Sequence, residues 1–153
     1  YWSEWKGASY VGFLAKRLPK DYVILVIGRH FTYKRDNIIN ITKVDNSLLP
    51  NYYAIADCYV STTQDDNFPL VLMEAQICGV PIVGFGHGGT KEQITQKSGI
   101  MVGEENDVDK LLHAVIHVVE DKPFIKSDII NSGMRFAKFA HAKRMLNIYE
   151  KYN

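Results

Sequence analysis

No stretch of this chain is apolar over the roughly 20 residues that a membrane-spanning helix requires, and its start lacks the charged-then-apolar pattern of a secretory leader. Neither sign of charge dominates. Eighteen Lys and Arg stand against 17 Asp and Glu, for a net +1, and so small an excess gives no footprint for nucleic-acid binding. Cysteine is scarce: Cys58 and Cys78 are the two present, too few for a framework of several disulfides. Both lie in apolar runs, so buried free thiols in a reducing compartment, the cytoplasm, are expected. Repeats, low-complexity tracts and linkers are missing as well. What remains is 153 residues, 46% hydrophobic and 23% charged, the size and composition of one ordinary globular domain. The triplet Asn40-Ile41-Thr42 fits the N-glycosylation acceptor pattern, but so short a match arises easily by chance and falls on a strand edge.

What is there alternates between two periods. Ala8–Leu18 has helical apolar spacing and stops at Pro19. Residues 22–27 (YVILVI) form a nearly all-apolar run ending at Gly28, which reads as a strand buried on both faces. Ile38–Ile41 is a second such run. A helix is expected over Ser47–Ala56, capped by Asn46 or Ser47. Then follow a strand at Cys58–Ser61, a helix at Pro69–Cys78 closed by Gly79, and a strand at Pro81–Phe85. A helix from about Thr90, a strand at Gly99–Val102 and an amphipathic helix at Asp107–Val119 come next. The last stretch, about Pro123 to Tyr152, reads as helical with breaks near Gly133 and Ala140. Short buried strands alternating with helices predict an α/β domain, a doubly wound, Rossmann-like parallel sheet covered on both faces. One feature is out of place. The chain opens on a helix, with Tyr1, Trp2 and Trp5 ahead of it, whereas such a unit normally opens on a strand. A missing first strand is the expectation.

The chemistry concentrates in residues 66–83 (DNFPLVLMEAQICGVPIV). A polar loop, Thr62–Asn67, leads from a strand into a helix with Pro69 in its first turn. The free N–H groups of that turn and the helix dipole make an anion site at the carboxyl end of a strand. The helix is apolar nearly all round, which predicts burial on most sides. Glu74 sits in its middle, and a buried carboxylate must find donors; ribose hydroxyls would serve. Glu74 lies roughly 8 Å along the axis from the helix start, with Asp66 just ahead of that start. The two acids bracket the anion site in the order of a nucleotide diphosphate-sugar: ribose, diphosphate, sugar. Taken singly, each acid reads as structural, Glu74 paired with a buried Arg or Lys or capping a neighbouring loop, and Asp66 capping the helix. Their combination favours the ligand.

This segment resembles the signature of the family 4 retaining glycosyltransferases of the GT-B fold: an acid, seven residues, Glu-Ala, then Cys-Gly-Val-Pro and two hydrophobics. Gly88-Gly89 followed by Glu92 resembles the family's next element. Residues 46–61 (NSLLPNYYAIADCYVS) resemble its helix–Ala-Asp–strand unit, Trp2 and Lys6-Gly7 its opening motif, and Phe136 to Tyr149 its closing helix. The resemblance spans nearly the whole chain, and only the C-terminal, donor-binding domain of such enzymes, without the N-terminal acceptor domain. It implies that residues 1–153 are a nucleotide-sugar-binding domain, and that the complete enzyme transfers a sugar to a hydroxyl acceptor with retention, in surface polysaccharide or glycolipid synthesis. It also implies roles. Glu74 holds the ribose and Asp66, usually Glu in the family, contacts the sugar, next to Asn67. Phe68, Leu70 and Val71 offer amides to the distal phosphate, where Pro69 replaces a usual donor with none. Lys6 neutralises the diphosphate, with Trp5 where an Arg often stands. Ile41, Thr42, Lys43 and Val44 brush the base through their backbone. With Lys6 and the helix terminus stabilising the leaving group, neither a cofactor nor a metal is expected, the acidic pair Asp65-Asp66 notwithstanding.

Other groups rank lower. His113 and His117 share a helix face but lack a third ligand, and His87 lies in a glycine-rich turn. The cluster Lys138, His141, Lys143 and Arg144 could touch anionic lipid beside a lipid-linked acceptor, although a solvated helix face is the better reading. Two alternatives stay open: a GT-B relative acting as epimerase or phosphorylase, and a non-catalytic nucleotide-binding module that would need neither Asp66 nor Lys6.

Overall fold

Strands and helices alternate strictly along the middle of the chain, and every strand pairing is parallel. The structure, a computed structural model, describes residues 6–28, 31–103 and 106–152, apart from the side chains of His141 and Tyr152. Trp2 and Trp5 of the opening motif therefore lie outside the described residues. The order is α1 (Ala8–Arg17), β1 (Ile24–Ile27), β2 (Ile38–Ile41), α2 (Leu49–Ala54), β3 (Tyr59–Ser61), α3 (Leu70–Ile77), β4 (Ile82–Gly84), α4 (Thr90–Gln93), β5 (Gly99–Met101), α5 (Val108–Asp121), α6 (Lys126–Met134) and α7 (Lys138–Tyr152). The α/β class with parallel sheet and flanking helices is the one expected.

Two layers of helix cover the strands. On one face α1 packs with α5: Leu14 meets Val83, Phe85, Leu111 and Val115, all buried. On the other, α3 buries Leu72 and Ala75 against Val80, Ile82 and Ile94. The α1 helix also holds β1 and β2, through Val11 against Val26 and Phe31. One buried side chain per turn of α1 thus reaches a different strand group, which is what an amphipathic stripe at helical spacing provides.

Several local expectations need correction. The capping residue of the segment after β2 is Asp45, neither Asn46 nor Ser47: its carboxylate accepts from the Ser47 amide at 2.9 Å and starts a 3₁₀ turn over Asn46–Leu48 before α2. The final helical stretch divides at residues 135–137, where the backbone N–H groups of Phe136 and Ala137 turn back to Gly133 and Met134. The β1 strand is not buried on both faces. Val26 is 2% exposed, but its neighbours are only half-buried, and Val23 is 62% exposed. The reason lies in the sheet. The strands form two separate groups, β1-β2 and β3-β4-β5, with no bridge joining β1 to β3. Between these groups lies a cavity of about 710 Å³. Cys58, on its wall, is half-buried and free, like Cys78, and burial pushes the Cys58 thiol up to about 12.

The α5 helix opens on Asp107, as its sequence suggests, with the carboxylate accepting from the amides of Asp109 and Lys110, each at 3.0 Å. Those bonds, that from Lys110 first, hold the Asp107 carboxyl below its ordinary 3.8. A carboxyl depressed on folding contributes stability above its unfolded value and loses that contribution as pH falls through the folded value. Asp107→Ala should therefore lower the melting temperature at pH 7. The gap between variant and parent should close below about pH 3.8, as thermal denaturation followed by circular dichroism at both pH values will show.

Candidate functional site

At the carboxyl edge of the strands three loops meet. After β3, Thr62–Asn67 leads into α3; after β4, Gly86–Gly89 leads into α4; and Lys6–Gly7 enters α1. The Thr62 hydroxyl donates to the Lys6 carbonyl at 2.7 Å. Gly7 adopts a left-handed φ of +70°, and a Cβ there would run into the Thr62 carbonyl oxygen. Only glycine permits that approach. The glycine pair docks in the same manner. The Gly89 amide donates to the Asp66 carbonyl at 3.2 Å, and a Cβ on Gly88 or Gly89 would collide with the carbonyls of Asp66 or Asn67. Lys6, the 62–67 loop and Gly88-Gly89 are thereby fixed against one another, with the Lys6 side chain exposed.

The α3 helix starts from an extended Pro69 with no side-chain cap. Pro69 has no N–H, and the Phe68 amide donates to Asp66 Oδ1 at 3.1 Å. That leaves the amides of Leu70 and Val71 as the open donors of the first turn. Their side chains are exposed too, at 60% and 40%, so α3 is not buried on most sides: its first turn faces outward, and only beyond it do Leu72, Ala75 and Gln76 enter the core. Gln93 locks this turn from behind, its Nε2 donating to the Pro69 carbonyl at 3.1 Å, while Gln76 Nε2 donates to Gln93 O at 2.9 Å and Ser98 Oγ at 3.1 Å.

Glu74 is half-buried, one turn into α3, and lines the large cavity with Val71. Among the described residues neither Arg nor Lys pairs with it. Its donor is Tyr53 of α2, whose hydroxyl meets Glu74 Oε2 at 2.9 Å. Desolvation, and then the Glu74 carboxylate, push the Tyr53 hydroxyl well above its usual range, so it remains a donor throughout ordinary pH. Sequence reasoning missed Tyr53: it lies 21 residues from Glu74 in a different helix, and no spacing rule joins them. Ile41 ends β2, followed by Thr42 and Lys43, both exposed, and Val44, half-buried; this loop leaves the carboxyl edge of its strand as Asn67 and Asp66 do theirs. Of the lesser candidates, His87 Nε2 lies 2.7 Å from Asn106 Oδ1 and His117 Nδ1 lies 2.6 Å from Asp121 Oδ2. Among the described residues no three His, Cys, Asp or Glu side chains gather to hold a metal, and no helix is long and apolar enough to cross a membrane.

The strands, all paired in parallel and flanked by helices, thus carry an open helix terminus and Asp66 on the loops at their carboxyl edge. The sequence profile of the family described as "Glycosyl transferases group 1" matches residues 6–136, and the chain belongs to that family. It is 42% identical over 122 residues to a GDP-mannose-dependent monoacylated alpha-(1-6)-phosphatidylinositol monomannoside mannosyltransferase of Corynebacterium glutamicum, covering 71% of this chain and 32% of that protein. An Escherichia coli UDP-Gal:alpha-D-GlcNAc-diphosphoundecaprenol alpha-1,3-galactosyltransferase is 27% identical over 127 residues, with 76% and 32% covered. The chain thus spans about a third of the length of these relatives. Among solved structures, sucrose-phosphate synthase of Thermosynechococcus elongatus superposes with a TM-score of 0.81 at 19% identity, over 98% of this chain and 43% of that one. HepE of Anabaena in complex with UDP and glucose does so at 0.79 and 16%, over 98% and 46%. At these identities the structures bear on the fold alone, and it is that of the GT-B glycosyltransferases.

Removing the Tyr53 hydroxyl tests the Glu74 pairing. Tyr53→Phe should destabilise the chain by about 1–2 kcal/mol, the scale of a hydrogen bond to a partly exposed charged group, read from urea denaturation midpoints. An unchanged midpoint would mean that water replaces the hydroxyl at no cost.

Proposed function

We propose that this chain is the donor-binding domain of a retaining glycosyltransferase that uses a nucleotide diphosphate-sugar and acts in surface polysaccharide or glycolipid synthesis. The observation that carries this reading is the convergence of Lys6, the open amides of Leu70 and Val71, and Asp66 on one edge of the strands, with Glu74 a single turn further along the same helix. The diphosphate takes the helix terminus and the Lys6 ammonium, which together offset the charge that develops on the leaving group as the sugar–oxygen bond breaks. Glu74 accepts ribose hydroxyls through Oε1, for which no protein donor stands among the described residues, and Tyr53 holds Oε2. Asp66 keeps Oδ1 on the Phe68 amide and turns Oδ2 to the sugar. The loop Ile41–Val44 lies along the base. The acceptor comes from a second domain, and catalysis takes place between the two. The mannosyl and galactosyl relatives named above, both acting on lipid-borne acceptors by their names, favour a lipid-linked acceptor and contact with the cytoplasmic membrane face. The donors in those names, GDP-mannose and UDP-galactose, set the first nucleotides to try.

Substitutions separate the contacts. In the full-length protein, Lys6→Ala should weaken both the nucleoside diphosphate and its sugar conjugate, less so as salt rises. Glu74→Ala should weaken both by roughly 1.5–3 kcal/mol, the range for hydrogen bonds to a charged acceptor. Asp66→Ala should spare the diphosphate and cost affinity only for the conjugate. Calorimetric titration with UDP, GDP and their hexose conjugates reads all three. Equal loss for both ligands on Asp66→Ala would make Asp66 a structural cap of α3.

A further inference from the structure

The turn between α6 and α7 reaches the candidate site from behind. We infer that Arg135 and Phe136 of this turn are positioning residues for the first turn of α3, where the diphosphate of the proposed donor binds; this rests on the donor-binding reading above. Two separate sets of contacts carry it. The first belongs to Phe136. Its ring meets that of Phe68 edge-on, with centroids 5.1 Å apart and planes at 75°, a preferred arrangement for an aromatic pair. Phe68 is half-buried; its amide donates to Asp66 Oδ1, and Pro69 follows it directly. Anchoring that ring limits how far the 66–69 backbone can turn, and with it the direction of the open Leu70 and Val71 amides. The Arg135 guanidinium lies over the Phe136 ring at 4.4 Å and covers one face of it.

The second set belongs to Arg135. Its Nη2 donates to the carbonyls of Glu92 and of Gln93, the latter at 3.2 Å, while its Nε donates to the Ser132 carbonyl at 3.0 Å. Glu92 and Gln93 close α4, and the closing carbonyls of a helix have no partner within it. At its other end α4 starts from Gly89, whose amide donates to the Asp66 carbonyl. Arg135 thus fixes one end of α4, and the other end bears on Asp66. The segment from Asp66 to Phe68 is braced from two directions by adjacent residues, through a ring on one side and a short helix on the other. The turn itself is held close. Gly133, two residues before Arg135, is buried against α3, where a Cβ would come within 2.9 Å of Gln76 Cβ and of the Ile77 nitrogen. The body of α3 therefore sets the place of the turn that braces its first residues. Ile129 of α6, by contrast, is buried at the opposite edge of the strands, beside Gly79 and Pro81, and supplies a control.

Two readouts on the full-length protein test this, with Phe136→Ala and Arg135→Ala as variants. Without nucleotide, hydrogen exchange by mass spectrometry should show peptides over residues 66–71 exchanging about ten-fold faster than in the parent. Peptides over Ile82–Gly84 should keep the parent rate. With nucleotide, calorimetry should show UDP or GDP, whichever the parent binds, held about ten-fold more weakly, the cost of ordering a loosened site on binding. Ile129→Val, a loss of core packing, should lower the melting temperature and leave both readouts at the parent values. If an alanine variant unfolds, seen as lost protection over Ile82–Gly84, Phe136→Leu or Arg135→Lys takes its place. Parent-like exchange over 66–71, or parent-like affinity for a nucleotide the parent binds, would overturn the inference for the residue replaced. Equal effects from Ile129→Val would overturn it for both, since stability in general would then govern the site. A parent that binds neither UDP nor GDP, with residues 66–71 still loosened in the variants, would sink the proposed function and leave the brace standing.

Discussion

Backbone has to meet backbone at the carboxyl edge, and the rest of the site depends on it. Gly7 lies on the Thr62 carbonyl, and Gly88-Gly89 lie on the carbonyls of Asp66 and Asn67. A side chain at any of these positions would hold the loops apart by at least the width of a methyl group. With them in place, Lys6, Asp66 and the first turn of α3 have fixed relative positions before any ligand arrives. Pre-set geometry of this kind is what a charge-stabilising site needs, because donors that must be reoriented during the reaction lose part of their effect. The buried Gln76–Gln93 pair extends the constraint inward. By tying Pro69 to α4 and to Ser98, it fixes the direction in which the open helix terminus points.

The two acids differ in how firmly they are held. Asp66 is drawn into its own turn by the Phe68 amide, a local bond two residues long that forms with the loop. Glu74 is held from outside, by a phenol on another helix, and that phenol lies against Tyr59 at a ring distance of 6.2 Å. Its orientation thus depends on how α2 sits against α3. A carboxylate with one oxygen on a neutral donor retains its charge and its second oxygen, which suits a group meant to accept hydroxyls. A lysine or arginine partner would have satisfied the same carboxylate and left less for a ligand.

The reach of the sequence follows from the range of each interaction. Strands such as Ile38–Ile41 and helices such as Ala8–Arg17 were legible because period and breaker residues lie within a dozen positions. The doubly wound class followed from their alternation, and the loop–Pro69–Glu74 segment stood out because its acids, its proline and its apolar run are contiguous. Asp45 as cap was missed because three consecutive residues, Asp45, Asn46 and Ser47, could all serve, and only the backbone geometry selects one. Tyr53 was illegible for a different reason: its partnership with Glu74 is made across two helices. The outward first turn of α3 was hidden as well, since exposed Leu70 and Val71 carry the same letters as buried ones.

The half-buried state of β1 connects these levels. Its sequence is written for a strand with neighbours on both sides and helices on both faces, and among the described residues it pairs with β2 alone. An all-apolar strand in that position is costly, since each exposed methylene forfeits about 0.8 kcal/mol of burial. Letters and environment part at Ile24, Leu25 and Ile27 on the wall of the cavity, and again on the surface at Leu70, Ile125 and Phe139, all exposed. At Ile82 and Val83 of β4, both fully buried between β3 and β5, letters and environment agree. The same apolar letters thus serve a strand paired on both sides and a strand paired on one, and the sheet around them decides how deeply each is buried.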